Sequence, residues 1–245
     1  MADYDETTYG ERIADVYDSL TEVPADTDEA VALLAQLARG GRALDLGIGT
    51  GRLALPLQAG GIQVEGIDAS PAMVEKLRNK PGGREIPVTM GNFAELKVGG
   101  RFSLIFVAFN TFFALLTQEE QLRCFANVAA HLETQGAFVI EAFVPDLSRF
   151  DRGQRLQAMN VDMELVRIDV ARHDPIAQQV VAQHVVITEA GTRFYPVRLR
   201  YCWPSELDLM ARLAGLRLES RWGGWLKEPF GADSGKHVSV YRAHP

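Results

Sequence analysis

The sequence predicts an α/β fold: an open, doubly wound, mostly parallel sheet that carries an antiparallel β insertion. Three observations predict it. Short apolar runs alternate with helical periodicities through the first 145 residues. A glycine-rich turn joins the first apolar run to the next helix. From Pro145 the pattern changes to strand-like stretches spaced as a meander, and the alternation resumes at Ser205.

Apolar residues at Ala30, Val31, Leu33, Leu34, Leu37 and Ala38 give a helix over 28–39, closed by Gly40 and Gly41. Ala43 to Leu46 is the first strand, followed by Gly47-Ile48-Gly49-Thr50-Gly51 and a helix from Arg52 to Ala59. Val64 to Ile67 is the second strand, ending in Asp68; Ser70 then caps a helix that opens at Pro71, where the missing N–H is harmless. Pro87 to Met90 and Phe102 to Phe109 are the third and fourth strands, the latter apolar enough to be buried on both faces. A helix over Glu119 to Leu132 and a strand over Ala137 to Phe143 complete this half. Strand-like stretches in 161–171, 177–189 and 192–202 form the insertion, with turns at His173-Asp174-Pro175 and Ala190-Gly191. Ser205 to Ala214 (helix), Leu216 to Trp222 and His237 to Arg242 (strands) return to the sheet. The expected organisation is one domain over 1–245, with an N-terminal lid region at 1–27 and a substrate cap at 145–204.

The composition suits that fold. The chain has 245 residues, 47% hydrophobic and 23% charged, enough to bury a sizeable core. Neither a long apolar span nor a secretory signal is present, so a cytoplasmic protein without a membrane partner is expected. Cys124 and Cys202 are too few for a disulfide framework or a zinc cluster. A net charge of −7 disfavours nucleic acid, whose phosphates demand a basic stripe. The acidity is local: residues 1–30 hold ten acids and one base, Arg12. Such a run is either a solvated helical face or a field that draws a cationic substrate.

The glycine turn carries the chemistry. Gly47, Gly49 and Gly51 lie where a ligand must approach the backbone more closely than a Cβ allows. Asp45 precedes them by two residues, and Asp68 ends the next strand, where a carboxylate can accept both hydroxyls of a ribose. Gly91-Asn92-Phe93, after the third strand, offers an amide and a ring to an adenine. The third glycine falls one residue too early for a nicotinamide dehydrogenase.

Together, Asp45 to Gly51, Gly66-Ile67-Asp68-Ala69-Ser70 with Met73, Gly91-Asn92-Phe93 and Gly136 resemble the class I S-adenosylmethionine-dependent methyltransferases, whose Rossmann-like sheet has seven strands. The resemblance implies S-adenosyl-L-methionine as cofactor and S-adenosyl-L-homocysteine as product. It implies a cofactor site of Tyr9, Tyr17, Asp45, Gly47, Ile48, Gly49, Gly51, Asp68, Ala69, Met73, Asn92, Phe93 and Phe109. The family usually has Asp at Asn92, although an amide both donates and accepts. Within the family, the N-terminal segment with Tyr9 and Tyr17 resembles the small-molecule N-methyltransferases of antibiotic pathways, those acting on amino sugars and lincosamides. Tyr9 and Tyr17 become hydroxyl donors by that resemblance.

The acceptor is less legible. Phe109 to Phe113 and Ala142 to Val144 leave the strands beside the crevice; Phe112 and Phe113 either flank a cationic centre or pack as core. Tyr9, Tyr17 and Phe112 are the expected catalytic residues, with His131, His173, His184, His237 and Glu141 as further candidate bases. The expected reaction is in-line methyl transfer to an amine of a small metabolite, which needs little base catalysis. Small-molecule O-methylation is the first alternative, and a cofactor sensor or a protein or RNA methyltransferase the more distant one. Metal assistance would want a carboxylate cluster that the sequence does not place. Homo-oligomerisation stays open.

Overall fold

A computed structural model describes residues 4–20 and 26–243, the side chain of Leu20 excepted. Asp3 and Glu22 of the acidic run, and with them parts of the expected lid region, lie outside the described residues.

Seven strands form the main sheet: β1 (Ala43–Leu46), β2 (Val64–Asp68), β3 (Val88–Met90), β4 (Phe102–Val107), β5 (Leu132–Phe143), β10 (Leu216–Trp222) and β11 (Lys236–Ala243). Their order is β10-β11-β5-β4-β1-β2-β3, with only β11 antiparallel to its neighbours. The chain winds outward from β1 in one direction and from β4 in the other. Between them lies the switch point, the place where such sheets bind ligands.

Helices α3 (Thr27–Ala38), α4 (Ala54–Ala59), α5 (Pro71–Arg78), α6 (Gln118–His131) and α7 (Pro204–Leu213) cover the sheet. Thr117 and Glu120 start α6 with a reciprocal capping box, and Ser70 caps α5 by accepting from the Met73 N–H at 3.2 Å. Both faces of the sheet are dry: Leu44, Leu46, Ile105, Phe112, Phe125 and Phe138 fill one, and Leu34, Leu57, Val64, Leu104, Phe106 and Val139 the other.

The fourth strand ends two residues earlier than expected. Phe109 and Asn110 have φ of 56° and 65°, a left-handed pair that no strand continues through. The fifth strand begins earlier than the apolar run suggests, at Leu132, directly after α6.

The insertion has four strands, one more than expected: β6 (Gln154–Val161), β7 (Leu165–Asp174), β8 (Gln179–Thr188) and β9 (Gly191–Arg200), in sequential antiparallel order. β6 escaped the sequence reading because it is exposed almost throughout and lacks an apolar alternation. One face, with Val180, Val186, Tyr195 and Leu199, packs inward.

The N-terminal segment forms two short helices, α1 (Thr8–Ile13) and α2 (Tyr17–Leu20). Ile13 and Ala14 are buried against Met73, Val186 and Tyr195, so the segment bridges α5 and the insertion. Its acids do structural work. Glu11 accepts from Ser70 Oγ at 2.8 Å and the Ala72 N–H at 3.0 Å, Asp15 pairs with Lys76 at 2.9 Å, and Asp18 with Lys80 at 2.7 Å. Asp26 pairs with Lys236. Much of the acidity is therefore a latch. Among the described residues no helix is long and apolar enough to cross a membrane.

Candidate active site

The three glycines of the turn after β1 have positive φ of 81°, 54° and 84°, but their surroundings differ. A Cβ on Gly47 would lie 2.5 Å from the Thr111 methyl, and one on Gly51 2.4 Å from Leu77 Cδ1. A Cβ on Gly49 would meet only the Gly47 carbonyl, at 4.0 Å. Gly47 and Gly51 thus serve packing, and Gly49 leaves the turn open where a ligand would lie.

Asp68 braces this turn. Its carboxylate accepts from the Gly49 N–H at 2.7 Å and the Ser70 N–H at 2.9 Å. Burial raises its pKa, and these amide bonds oppose the rise. Asp45 is 6% exposed at the end of β1 and, among the described residues, has no ion pair within 4.0 Å. Burial, then the neighbouring Asp68 charge, push it up to about 8, with Arg52 opposing. A buried carboxylate in this condition gains from a cation. Open space above Gly49, a carboxylate seeking positive charge and a second carboxylate at the end of β2 fit the amino-acid and ribose parts of S-adenosylmethionine.

Across the switch point, the end of β5 holds the strained end of β4. Glu141 Oε2 accepts from the Phe109 N–H at 2.7 Å, and Asn110 Oδ1 accepts from the Phe143 N–H at 2.7 Å. Glu141 also faces Lys236 Nζ at 3.3 Å. A carboxylate so engaged positions the loop, which removes it as a candidate base. The exposed Phe109 ring carries the Arg52 guanidinium 5.0 Å from its centroid.

From this loop a cavity of about 640 Å³ runs up to the insertion. Tyr9, Tyr17, Phe109 and Thr111 line its lower end, and the inward faces of β7 to β9 its upper end. Tyr17 links it to the turn, lying close enough to Asp45 and Asp68 to feel both charges. Burial raises the pKa of both Tyr9 and Tyr17, so these hydroxyls keep their protons.

On the cavity wall, His184 of β8 stands opposite Asp169 of β7, with Nδ1 2.6 Å from Asp169 Oδ1. Burial works to raise the Asp169 pKa, but the His184 hydrogen bond and charge, then Arg167, bring it below the ordinary carboxylate value. With Nδ1–H given to Asp169, Nε2 carries the lone pair, the arrangement of an oriented base. Asp169 escaped the sequence reading; a hairpin turning just after Asp174-Pro175 is the signal that could have paired it with His184.

Several expectations need correction. Phe112 is fully buried and packs edge-on against Phe125 (5.5 Å) and Phe113 (6.4 Å), so it is core rather than a flank for a cation. Met73 at 5% and Phe93 at 8% exposure are also spent on packing. The Ile48 side chain is buried against Gly66, where it would collide with a Cβ. Asn92 Oδ1 accepts from the Ala94 N–H at 2.8 Å, which ties the side chain to its own turn; Ala69 is half-buried beside Asp68. Among the candidate bases, His237 is fully buried and lowered to about 3, mainly by desolvation. His131 binds the Asn127 carbonyl at 2.8 Å, and His173 binds the Tyr201 hydroxyl at 2.8 Å beneath Phe150.

A doubly wound sheet with an acid-flanked glycine turn and a partly open cavity beside its switch point has the form of a nucleoside-cofactor transferase. Residues 43–136 match the family model described as a methyltransferase domain. The CcbJ methyltransferase of Streptomyces caelestis is 43% identical, with 99% of this chain and 100% of that one covered at a TM-score of 0.94. A Streptomyces protein, the cypemycin N-terminal methyltransferase, is 26% identical over 96% of this chain and 98% of its own. The sugar N-methyltransferase KedS8 from Streptoalloteichus shares the fold at a TM-score of 0.68 and 19% identity, covering 100% of this chain and 99% of that one. The chain belongs to the S-adenosylmethionine-dependent methyltransferases.

Proposed function

We propose that the chain methylates an amine nitrogen of a small secondary metabolite, with residues 1–27 acting as a lid and 145–204 as a cap over the acceptor. The observation that carries this reading is one cavity bearing Tyr17, beside the cofactor carboxylates, and the His184–Asp169 pair. The names of two relatives support nitrogen as the target: one acts on the N-terminus of cypemycin and the other is a sugar N-methyltransferase. The wider setting, antibiotic biosynthesis, is supported by a neighbouring fold from calicheamicin biosynthesis.

When bound, S-adenosylmethionine supplies a sulfonium-activated methyl group, already a good electrophile. Asp45 would hold its ammonium group and Asp68 its ribose, over the open backbone at Gly49. Tyr9 and Tyr17, protonated throughout the neutral range, donate hydrogen bonds and close the lower end of the cavity. His184 Nε2 takes the proton that the acceptor ammonium must lose before its nitrogen lone pair can attack, and Asp169 holds the resulting imidazolium. Enclosure by the insertion excludes water and fixes the line of approach, an orientation effect worth up to about 7–11 kcal/mol.

The test is product mass and NMR after incubation with S-adenosylmethionine and matched amines and phenols. Methylated amines are expected. Turnover of phenols alone would replace the reading with O-methylation, for which the same dyad could serve as base.

A further inference from the structure

At the outer end of the acceptor cavity, Arg149, on the 3₁₀ turn Leu147–Arg149, and Arg155 of β6 both line the wall. Both guanidiniums converge on one neutral atom, Gln157 Oε1, which Arg149 reaches at 3.3 Å and Arg155 also contacts. Among the described residues neither arginine forms an ion pair within 4.0 Å. The acids nearby are engaged: Asp169 with His184, and Asp146 with the Ser148 N–H (3.1 Å) and hydroxyl (2.6 Å). Burial, then the charge of Arg149, lower the Arg155 pKa, and the more weakly felt charge of Asp169 opposes them.

We propose that Arg149 and Arg155 form an oxyanion subsite, so that the acceptor amine carries a carboxylate or phosphate group. Two guanidinium forks turned toward one oxygen are the usual recognition geometry for either anion. The position also suits a bifunctional acceptor. Arg155 pairs with Ala171 and Ala171 with Ala182, so Arg155 lies two strands across and one side-chain repeat along from His184. Strand spacing and rise put the two Cα atoms about 12 Å apart. Long side chains then narrow the gap to the length of a small metabolite, with amine at the histidine and anion at the arginines. Val180, Ala182, Val197 and Leu199 furnish the apolar wall nearby.

The inference rests on this cavity being the acceptor site, and the test separates the two. Calorimetric titrations of the S-adenosylhomocysteine-saturated protein use benzoate, phenyl phosphate and neutral benzamide as probes. At least one anion should bind tenfold or more tighter than benzamide, and Arg149→Gln/Arg155→Gln should remove that margin while S-adenosylhomocysteine still binds. Preference for benzoate identifies a carboxylate and preference for phenyl phosphate a phosphate. If neither anion exceeds benzamide, or if the margin survives in the double variant, the subsite is refuted. Should the anions bind as expected while no amine is methylated, the subsite stands and the reading of the cavity fails.

Discussion

The sharpest consequence of the site concerns Asp45. With its pKa raised from 3.8 to about 8, the carboxyl is roughly nine-tenths protonated at pH 7 in the ligand-free protein. Pairing with the ammonium of a bound nucleoside requires the carboxylate, so binding releases about 0.9 proton at that pH. Keeping the site protonated weakens binding at pH 7 by a factor of about 11, or about 1.4 kcal/mol, and affinity should rise about ninefold between pH 6 and 7. Calorimetry of S-adenosylhomocysteine binding in phosphate and in Tris, whose ionisation enthalpies differ widely, measures the released proton directly. Asp45→Asn should give buffer-independent heat and a flat pH dependence. The same shift acts on folding. The unfolded chain sheds this proton near its ordinary value and the folded one near 8, so the ligand-free fold loses stability as pH rises between them. By pH 7 the loss approaches about 4 kcal/mol at most, and Asp45→Asn should therefore raise the melting temperature as it weakens binding. Equal heats in both buffers would show that the carboxylate is already ionised, and the argument for its role would fail.

Four other outcomes follow from particular contacts. His184→Gln should lower kcat about 100-fold with a small change in KM, while Asp169→Asn should fall between it and the parent; an unchanged kcat would remove the base. Gly49→Ala should cost about 1–2 kcal/mol in stability from its φ of 54° and weaken S-adenosylhomocysteine binding at least tenfold, because its methyl enters open cofactor space. Gly51→Ala should cost about 2–4 kcal/mol in urea denaturation, because its Cβ meets buried Leu77. Asp208→Ala should cost about 3 kcal/mol in the same assay, since it strands the Arg221 guanidinium (2.6 Å) and the Tyr241 hydroxyl (2.9 Å) in a largely buried network.

The cofactor half of the site is readable in sequence because its constraints are local. Positive φ at Gly47, Gly49 and Gly51 demands glycine, and acids at fixed offsets from β1 and β2 reach the same turn because parallel strands align their ends. Alternation of apolar runs likewise places all seven main strands. The half proposed for the acceptor depends on register. Asp169 faces His184 only because the β7–β8 hairpin turns between Asp174 and Gln179; a slip by one residue would send each side chain of β8 to the opposite face. Phe112 was ambiguous for another reason: its neighbour Phe109 faces the cavity, and the left-handed pair Phe109–Asn110 that separates them has no glycine to announce it.

The distribution of charge ties these halves together. Acids at Glu11, Asp15 and Asp18 meet the cap of α5, Lys76 and Lys80, so the N-terminal segment is fastened to the helix that follows Asp68. Thr50 Oγ1, within the glycine turn, also donates to Asp18, at 2.7 Å. Tyr9 and Tyr17 ride on that segment, so the latch that carries the tyrosines into the cavity also touches the turn expected to hold the nucleoside. An acidic run that reads in isolation as either a solvated face or a lure for cations is tied instead to α5 and the glycine turn. On the insertion, Arg149 and Arg155 line the cavity and, among the described residues, form no ion pair within 4.0 Å.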